Sequence, residues 1–194
     1  MHIDTVFTSF LAFDKIELAN KEDLIAKCYE AVSIDKHRVS DGYNQSLFID
    51  PSDPVFISLT KQVHQRFDML YHEFGFNDSY HQQITQTWIN INNNPNIGRP
   101  HPHPQKFFSA VYYPKAPENS GHLSFINPNP QLPHVVRPEY VKTFNDFNSA
   151  EWDVVPTEDL CVFFPSYLWH YVNPCNNTQD RISIAFNTEI FPND

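Results

Sequence analysis

The sequence predicts an α+β protein in which two amphipathic helices precede a β-sandwich or jelly roll. Three observations carry this. Before about residue 80, two stretches repeat apolar residues at three- and four-residue steps. From about residue 81 the pattern changes to short β-type runs between Pro- and Asn-rich turns. The chain's 194 residues, 41% of them hydrophobic, suffice for one sizeable core. We therefore expect a single domain over 1–194, with 1–80 as a helical N-terminal layer packed on one sheet and 81–194 as the β core.

Val6 to Phe13 is mostly apolar and reads as a first strand ending at Asp14. Asn20, followed by Lys21-Glu22-Asp23, has the character of a helix N-cap with acids in the first turn. Leu24, Ile25, Cys28 and Val32 then form an apolar stripe. A second helix is predicted from Asp53 or Pro54 to about Phe74, through Phe56, Leu59, Val63, Phe67 and Leu70, with Gly75 as its stop. Strands are expected at 84–92, 107–113, 121–126, 160–164 and 181–190, and residues 128–150 read as a long loop or short irregular elements. Ile182 to Asn187 alternates cleanly, so one of its faces should be buried.

Acids outnumber bases by 23 to 13, and no Lys/Arg run stands out, so a nucleic-acid partner is not expected. No apolar run approaches the roughly 20 residues of a membrane helix, and Met1 to Asp14 has no basic n-region of a signal peptide. Cys28, Cys161 and Cys175 are odd in number and lack CxxC spacing, which points to a reducing cytoplasm. Asn44-Gln45-Ser46, Asn77-Asp78-Ser79 and Asn176-Asn177-Thr178 match the glycosylation pattern, as an Asn-rich chain does by chance.

The chemistry concentrates in Pro100-His101-Pro102-His103-Pro104. Each proline pushes the histidine before it towards extended backbone, where residues two apart share a face. His170 follows a strand-like run and offers a third imidazole, the commonest metal-binding side chain. Arg181, opening Arg181-Ile182-Ser183, supplies a rigid fork for a carboxylate. Three histidines plus water make a catalytic zinc pattern, whereas non-haem Fe(II) oxygenases use three facial ligands, usually two His and one carboxylate. An arginine clamp has no evident role in zinc hydrolysis and suits a dicarboxylate co-substrate.

From about Trp88 the chain resembles the 2-oxoglutarate- and Fe(II)-dependent oxygenases, closest to a small branch related to prolyl hydroxylases. The segments that carry this are Trp88-Ile89-Asn90, His101 to Pro104, Ser109 to Tyr113, Phe163 to His170, and Arg181 to Asn187. The resemblance implies a double-stranded β-helix (jelly roll) that hydroxylates a substrate while converting 2-oxoglutarate to succinate. It implies Fe(II) bound by His101 and His170, with Arg181 and Ser183 on the 2-oxoglutarate C5 carboxylate. Two departures stand out. His103 takes the place of the usual carboxylate ligand, and Glu158-Asp159 that of a Gly-Asp turn. We expect His103 to ligate, completing a His101, His103 and His170 set; the alternative is that His103 turns away and leaves two protein ligands and an open position, as in halogenase-like sites.

Tyr112 is the tyrosine expected to reach 2-oxoglutarate, since of Tyr112 and Tyr113 one must face inward. Trp88, Trp152 and Trp169 read as core, and Asn90 as a residue of the barrel mouth or a turn. His122 sits near the cavity in the pattern, and His134 and Arg137 lie in the long loop. His2, His37, His64, His72 and His81 fall in the helical part, and Cys161 and Cys175 matter to a metal only if the iron reading fails. The expected substrate is a small molecule or a peptidyl side chain such as proline, and a homodimer is the assembly to test. The competing readings are a zinc or cupin-type enzyme using the same histidines, and a non-catalytic jelly-roll module.

Overall fold

Helix α1 spans Lys21–Ile34 and buries Leu24, Cys28 and Val32; α2 spans Ile57–Glu73 and buries Leu59, Val63, Phe67 and Tyr71. Both stripes turn inward because an apolar face at this spacing gains most by leaving water. Asn20 begins α1 through its backbone carbonyl, which accepts from Leu24 N–H. Its side-chain amide donates to the Val55 carbonyl at 3.1 Å and so ties α1 to the chain entering α2. After α2, Gly75 takes φ 70°, and the N–H groups of Phe74, Gly75 and Phe76 close back on Leu70, His72 and Tyr71.

The structure is a computed structural model that describes residues 1–34, 36–40, 43–93, 98–175 and 179–193. Its strands are β1 (Ala12–Lys15), β2 (Lys36–Ser40), β3 (Tyr43–Ser46), β4 (Tyr80–Asn92), β5 (Phe108–Lys115), β6 (Leu123–Ile126), β7 (Glu151–Val154), β8 (Leu160–Pro165), β9 (His170–Val172) and β10 (Arg181–Pro192). The loop expected at 128–150 contains only a one-turn helix α3 (Leu132–Val135) and a 3₁₀ turn at Pro138–Tyr140. Among the described residues no helix is long and apolar enough to cross a membrane. The Asn176-Asn177-Thr178 match lies outside the described residues. In the Asn77-Asp78-Ser79 match, the Asn77 side chain accepts Ser79 N–H in a turn.

The expected first strand is displaced. Val6 and Phe7 are exposed, and regular pairing starts at Ala12, opposite Phe163 of β8. The β2–β3 hairpin, which alternation did not reveal, extends the sheet past β4. The result is a seven-stranded sheet in the order β1-β8-β5-β10-β4-β3-β2, facing a three-stranded sheet β7-β6-β9. This is the double-stranded β-helix, with α1 and α2 on the outer face of the larger sheet.

Strand alternation gives that larger sheet two cores. Phe108, Ala110, Tyr112, Cys161, Phe163, Ile182, Ile184 and Phe186 pack with the helices. Val111, Tyr113, Val162, Phe164 and Ala185 point the other way, onto Leu123, Phe125 and Val154 of the small sheet. Each fully buried Phe contributes about 1.5–3 kcal/mol to this packing.

Gly121 governs the turn into β6. It has φ 81°, and a Cβ there would lie 2.2 Å from the Asn173 carbonyl oxygen and 3.0 Å from that of Pro174. Both obstacles are backbone and cannot swing aside. We predict that Gly121→Ala lowers the unfolding free energy by about 2–4 kcal/mol, through strain and overpacking together. Gly75→Ala, with φ 70° and nothing within 4 Å, should cost about 1 kcal/mol. Urea denaturation of both variants decides; equal losses would refute the close approach at Gly121.

Candidate metal centre

Proline has no N–H, so in the run from Pro100 to Pro104 only His101 and His103 can donate from the backbone. Both donate to the segment that carries the third histidine. His101 N–H bonds the His170 carbonyl at 3.0 Å, His170 N–H returns to the His101 carbonyl at 3.1 Å, and His103 N–H bonds the Ser166 carbonyl at 2.8 Å. The residues expected to share a metal are thus fastened to one another by main-chain bonds before any ion is considered.

The three rings gather closely, with centroids 5.4 Å apart for His101–His103, 4.7 Å for His101–His170 and 4.9 Å for His103–His170. Each Nδ1 is already engaged. That of His101 lies 2.9 Å from the Arg99 carbonyl, and that of His170 lies 2.9 Å from the Leu168 carbonyl. For His103 the partners are Asn187 Oδ1 at 2.7 Å and Ser109 Oγ at 2.9 Å. A carbonyl only accepts, so in His101 and His170 Nδ1 carries the proton and Nε2 keeps the lone pair. One ligand atom from each residue lies within 4.8 Å of the other two. A triangle of that size has a point about 2.8 Å from each corner, so sub-ångström shifts reach the roughly 2.1 Å of a metal–imidazole bond.

The site grades from solvent to interior: His101 is exposed, His103 half-buried and His170 buried. Phe164 and Phe125 lie against the His170 ring at 4.9 and 5.8 Å, and Trp88 lies against His103 at 5.4 Å. Burial penalises the charged imidazolium. It pushes His103 down to about 4 and His170 down to about 3, in the latter case with help from neighbouring His103. Both are therefore neutral near pH 7, as metal ligation requires.

Arg181, 1% exposed, lies on the same β10 face as Asn187, at even spacing through Ser183 and Ala185. Its Nη1 donates to the carbonyls of Ser120 (3.0 Å) and Gly121 (3.2 Å), while its buried Nε has no partner among the described residues. A guanidinium so fixed, with an unused buried donor, fits a carboxylate acceptor.

The family model described as "Putative 2OG-Fe(II) oxygenase" matches residues 86–187, more than half of the chain. The chain belongs to this family. It is an oxygenase-type enzyme that uses Fe(II) and 2-oxoglutarate, which decides between the oxygenase and zinc readings. Solved oxygenase structures share the fold. A prolyl-4-hydroxylase from Pseudomonas putida matches with a TM-score of 0.63 at 14% identity, over 94% of each chain. HygX from Streptomyces hygroscopicus, with nickel, 2-oxoglutarate and hygromycin B bound, gives 0.60 at 10%, over 94% of this chain and 83% of that one. A prolyl hydroxylase from Trichoplax adhaerens, in complex with a hypoxia inducible factor oxygen degradation domain peptide fragment, gives 0.61 at 13%, over 92% and 83%. No curated protein matches the sequence.

Within this oxygenase the structure corrects the expectations for Tyr112, Trp152 and Trp169 and places the residues whose roles the sequence left open. Tyr112 faces the helices, not the space between the sheets, and its hydroxyl donates to Asp159 at 3.2 Å. Tyr113 is the inward tyrosine; burial pushes it up to about 12 although the Arg181 charge pulls the other way. His122 is exposed beside Asp153 at 3.6 Å. His134 and Arg137 lie at the surface of the long loop. Cys161 belongs to the helical-face core. Trp152 and Trp169 are not core: Trp152 is 44% exposed on edge strand β7, opposite Phe125, and Trp169 is 51% exposed. In the Glu158-Asp159 turn the left-handed residue is Asp159, at φ 65°, and Glu158, in the place of the usual Gly, has no positive φ; Asp tolerates that conformation better than most residues. Asn187, Ser109 and Ser166, which surround His103, carried no signal beyond being small polar residues near the motifs.

The depressed histidines make a pH prediction for the metal-free protein. Unfolded, each titrates near 6.5; folded, near 4 and 3. Between these values the unfolded state binds more protons, so stability falls as pH drops through the window. His170→Leu removes one such group and should lose less stability between pH 6.5 and 4 than the wild type. Parallel acid-unfolding curves would contradict this.

Proposed function

We propose that this oxygenase is a hydroxylase-type dioxygenase whose iron is held by Nε2 of His101, His103 and His170. Arg181, with Ser183, holds the far carboxylate of 2-oxoglutarate. The observation that carries the reading is the commitment of all three Nδ1 atoms to hydrogen bonds, which leaves three Nε2 atoms for one ion. When bound, iron with 2-oxoglutarate supplies O2-dependent oxidative decarboxylation coupled to hydroxylation of the substrate.

The residues have separable tasks. An imidazole ligand brings no charge of its own, so three of them leave the full metal charge to attract a dianionic co-substrate. Arg181 orients that co-substrate by a two-point fork, and the Ser120 and Gly121 carbonyls keep the fork from rotating. Phe125, Phe164 and Trp88 keep water from the two deeper ligands. Substrate approaches on the side of exposed His101. A peptide fragment and hygromycin B are bound in the structural neighbours, and both a peptidyl side chain and a small molecule suit this reading.

The chain acts as one domain. Support comes from β1, which enters the large sheet beside β8, and from α1 and α2, which cover that sheet's apolar face. Cys28 and Cys161, buried thiols outside any disulfide, support a reducing, cytoplasmic setting.

Arg181→Gln should raise the 2-oxoglutarate concentration for half-maximal succinate formation at least about tenfold while iron stoichiometry stays at the wild-type value. His170→Ala should lose the iron. An anaerobic titration with Fe(II) and 2-oxoglutarate, followed by the visible charge-transfer band, reads both. Joint loss of iron and co-substrate in Arg181→Gln would count against the clamp.

A further inference from the structure

We propose that Asn187 is a positioning residue for the metal centre, fixing through a polar relay from Gln86 which nitrogen of His103 carries the proton. This rests on the three-histidine reading and explains how an imidazole can serve where a carboxylate is usual. A carboxylate presents lone pairs from both oxygens. A neutral imidazole presents one, and only from the nitrogen that is not protonated. His101 and His170 settle the matter with main-chain carbonyls, which cannot donate. His103 instead faces an amide and a hydroxyl, Asn187 at 2.7 Å and Ser109 at 2.9 Å, and either group can act in both senses. Something must set their polarity.

Gln86 does so from the neighbouring strand. It stands directly across from Asn187 in the β4–β10 register, and its Oε1 accepts from Asn187 Nδ2 at 3.0 Å. With Nδ2 drawn towards Gln86, Asn187 must turn Oδ1 to His103. Ser109 reinforces the choice. Its Oγ–H donates to the same Oδ1 at 2.8 Å, so towards His103 it offers only a lone pair, and Ser166 Oγ completes its surroundings at 2.7 Å. Two acceptors then face Nδ1, which must carry the proton, and Nε2 is left free. Ser109 and Ser166 are fully buried and Asn187 nearly so, so bulk water is not at hand to invert the relay. With Gln86 so placed, the opposite polarity would set the amide oxygens of Asn187 and Gln86 against each other, acceptor against acceptor. A register shift between Asn187 and Thr188 also falls at this point of β10, as expected where a strand re-aims a side chain.

The test uses the metal-free full chain with ¹⁵N-labelled histidine and long-range ¹H–¹⁵N correlation near neutral pH. Wild-type His103 should show the Nδ1–H tautomer. Asn187→Leu should shift it to Nε2–H, and Asn187→Asp, which still accepts, should restore Nδ1–H. Co(II) affinity should fall about 10- to 100-fold in Asn187→Leu and recover in Asn187→Asp; a purely structural role would not be rescued in both measurements. If Asn187→Leu fails to fold, Gln86→Leu removes only the group that orients the amide and should mix the tautomers. An unchanged tautomer overturns the relay even where the three histidines bind metal. Wild-type Co(II) affinity in His103→Ala overturns the three-histidine reading even where Asn187 sets the tautomer.

Discussion

Strand β10 is hydrogen-bonded along both edges, to β4 over its whole length and to β5 over its first half. Its period-two alternation organises everything around it. One set of its side chains, Ile182, Ile184 and Phe186, is locked into the core beneath the helices. The other set, Arg181, Ser183, Ala185 and Asn187, is thereby forced to face the small sheet. Because the pairing cannot slip by one residue without exposing three large apolar groups, register brings the guanidinium and the amide to this face, and the Ser120 and Gly121 carbonyls and Gln86 then fix how they turn. The site is a by-product of how this strand buries its other face.

The second organising fact is electrostatic. A His-His-carboxylate set lowers the net charge of a bound Fe(II) by one; three imidazoles do not. In the proposed arrangement the dianionic co-substrate makes the compensation, and Arg181 balances the end that lies away from the metal. Affinity for iron and affinity for 2-oxoglutarate should then be more tightly coupled than in a site with its own carboxylate. Burial works in the same direction, since it keeps His103 and His170 unprotonated and available.

Much of this was legible in the sequence because it rests on local patterns. The stripe through Leu59, Val63 and Phe67 made α2 readable, the alternation of Ile182 to Phe186 made β10 readable, and the proline-framed histidines with His170 and Arg181 marked the site. What could not be read depends on register. Tyr112 and Tyr113 are equivalent in sequence, and only the pairing of β5 with β10, irregular between Ile182 and Ile184, decides which faces inward. Gln86, Ser109, Ser166 and Asn187 belong to common polar types and meet only because β4, β5, β10 and the turn after β8 align them. β9 has three residues and β7 four, too few for alternation to show. Val6 and Phe7 were misleading because apolar residues make a strand only where a partner edge is available.

The reciprocal bonds between His101 and His170 have a kinetic consequence. They join residues separated by most of the β core, and the strands that bring them together pair across comparably long stretches of chain. Such contacts form late, after the entropy of closing large loops has been overcome. The unfolded chain offers at most the His-x-His pair, a weak chelator that lacks its third arm. Metal capture therefore follows folding and does not guide it, so the iron content of a preparation counts the molecules whose topology is complete.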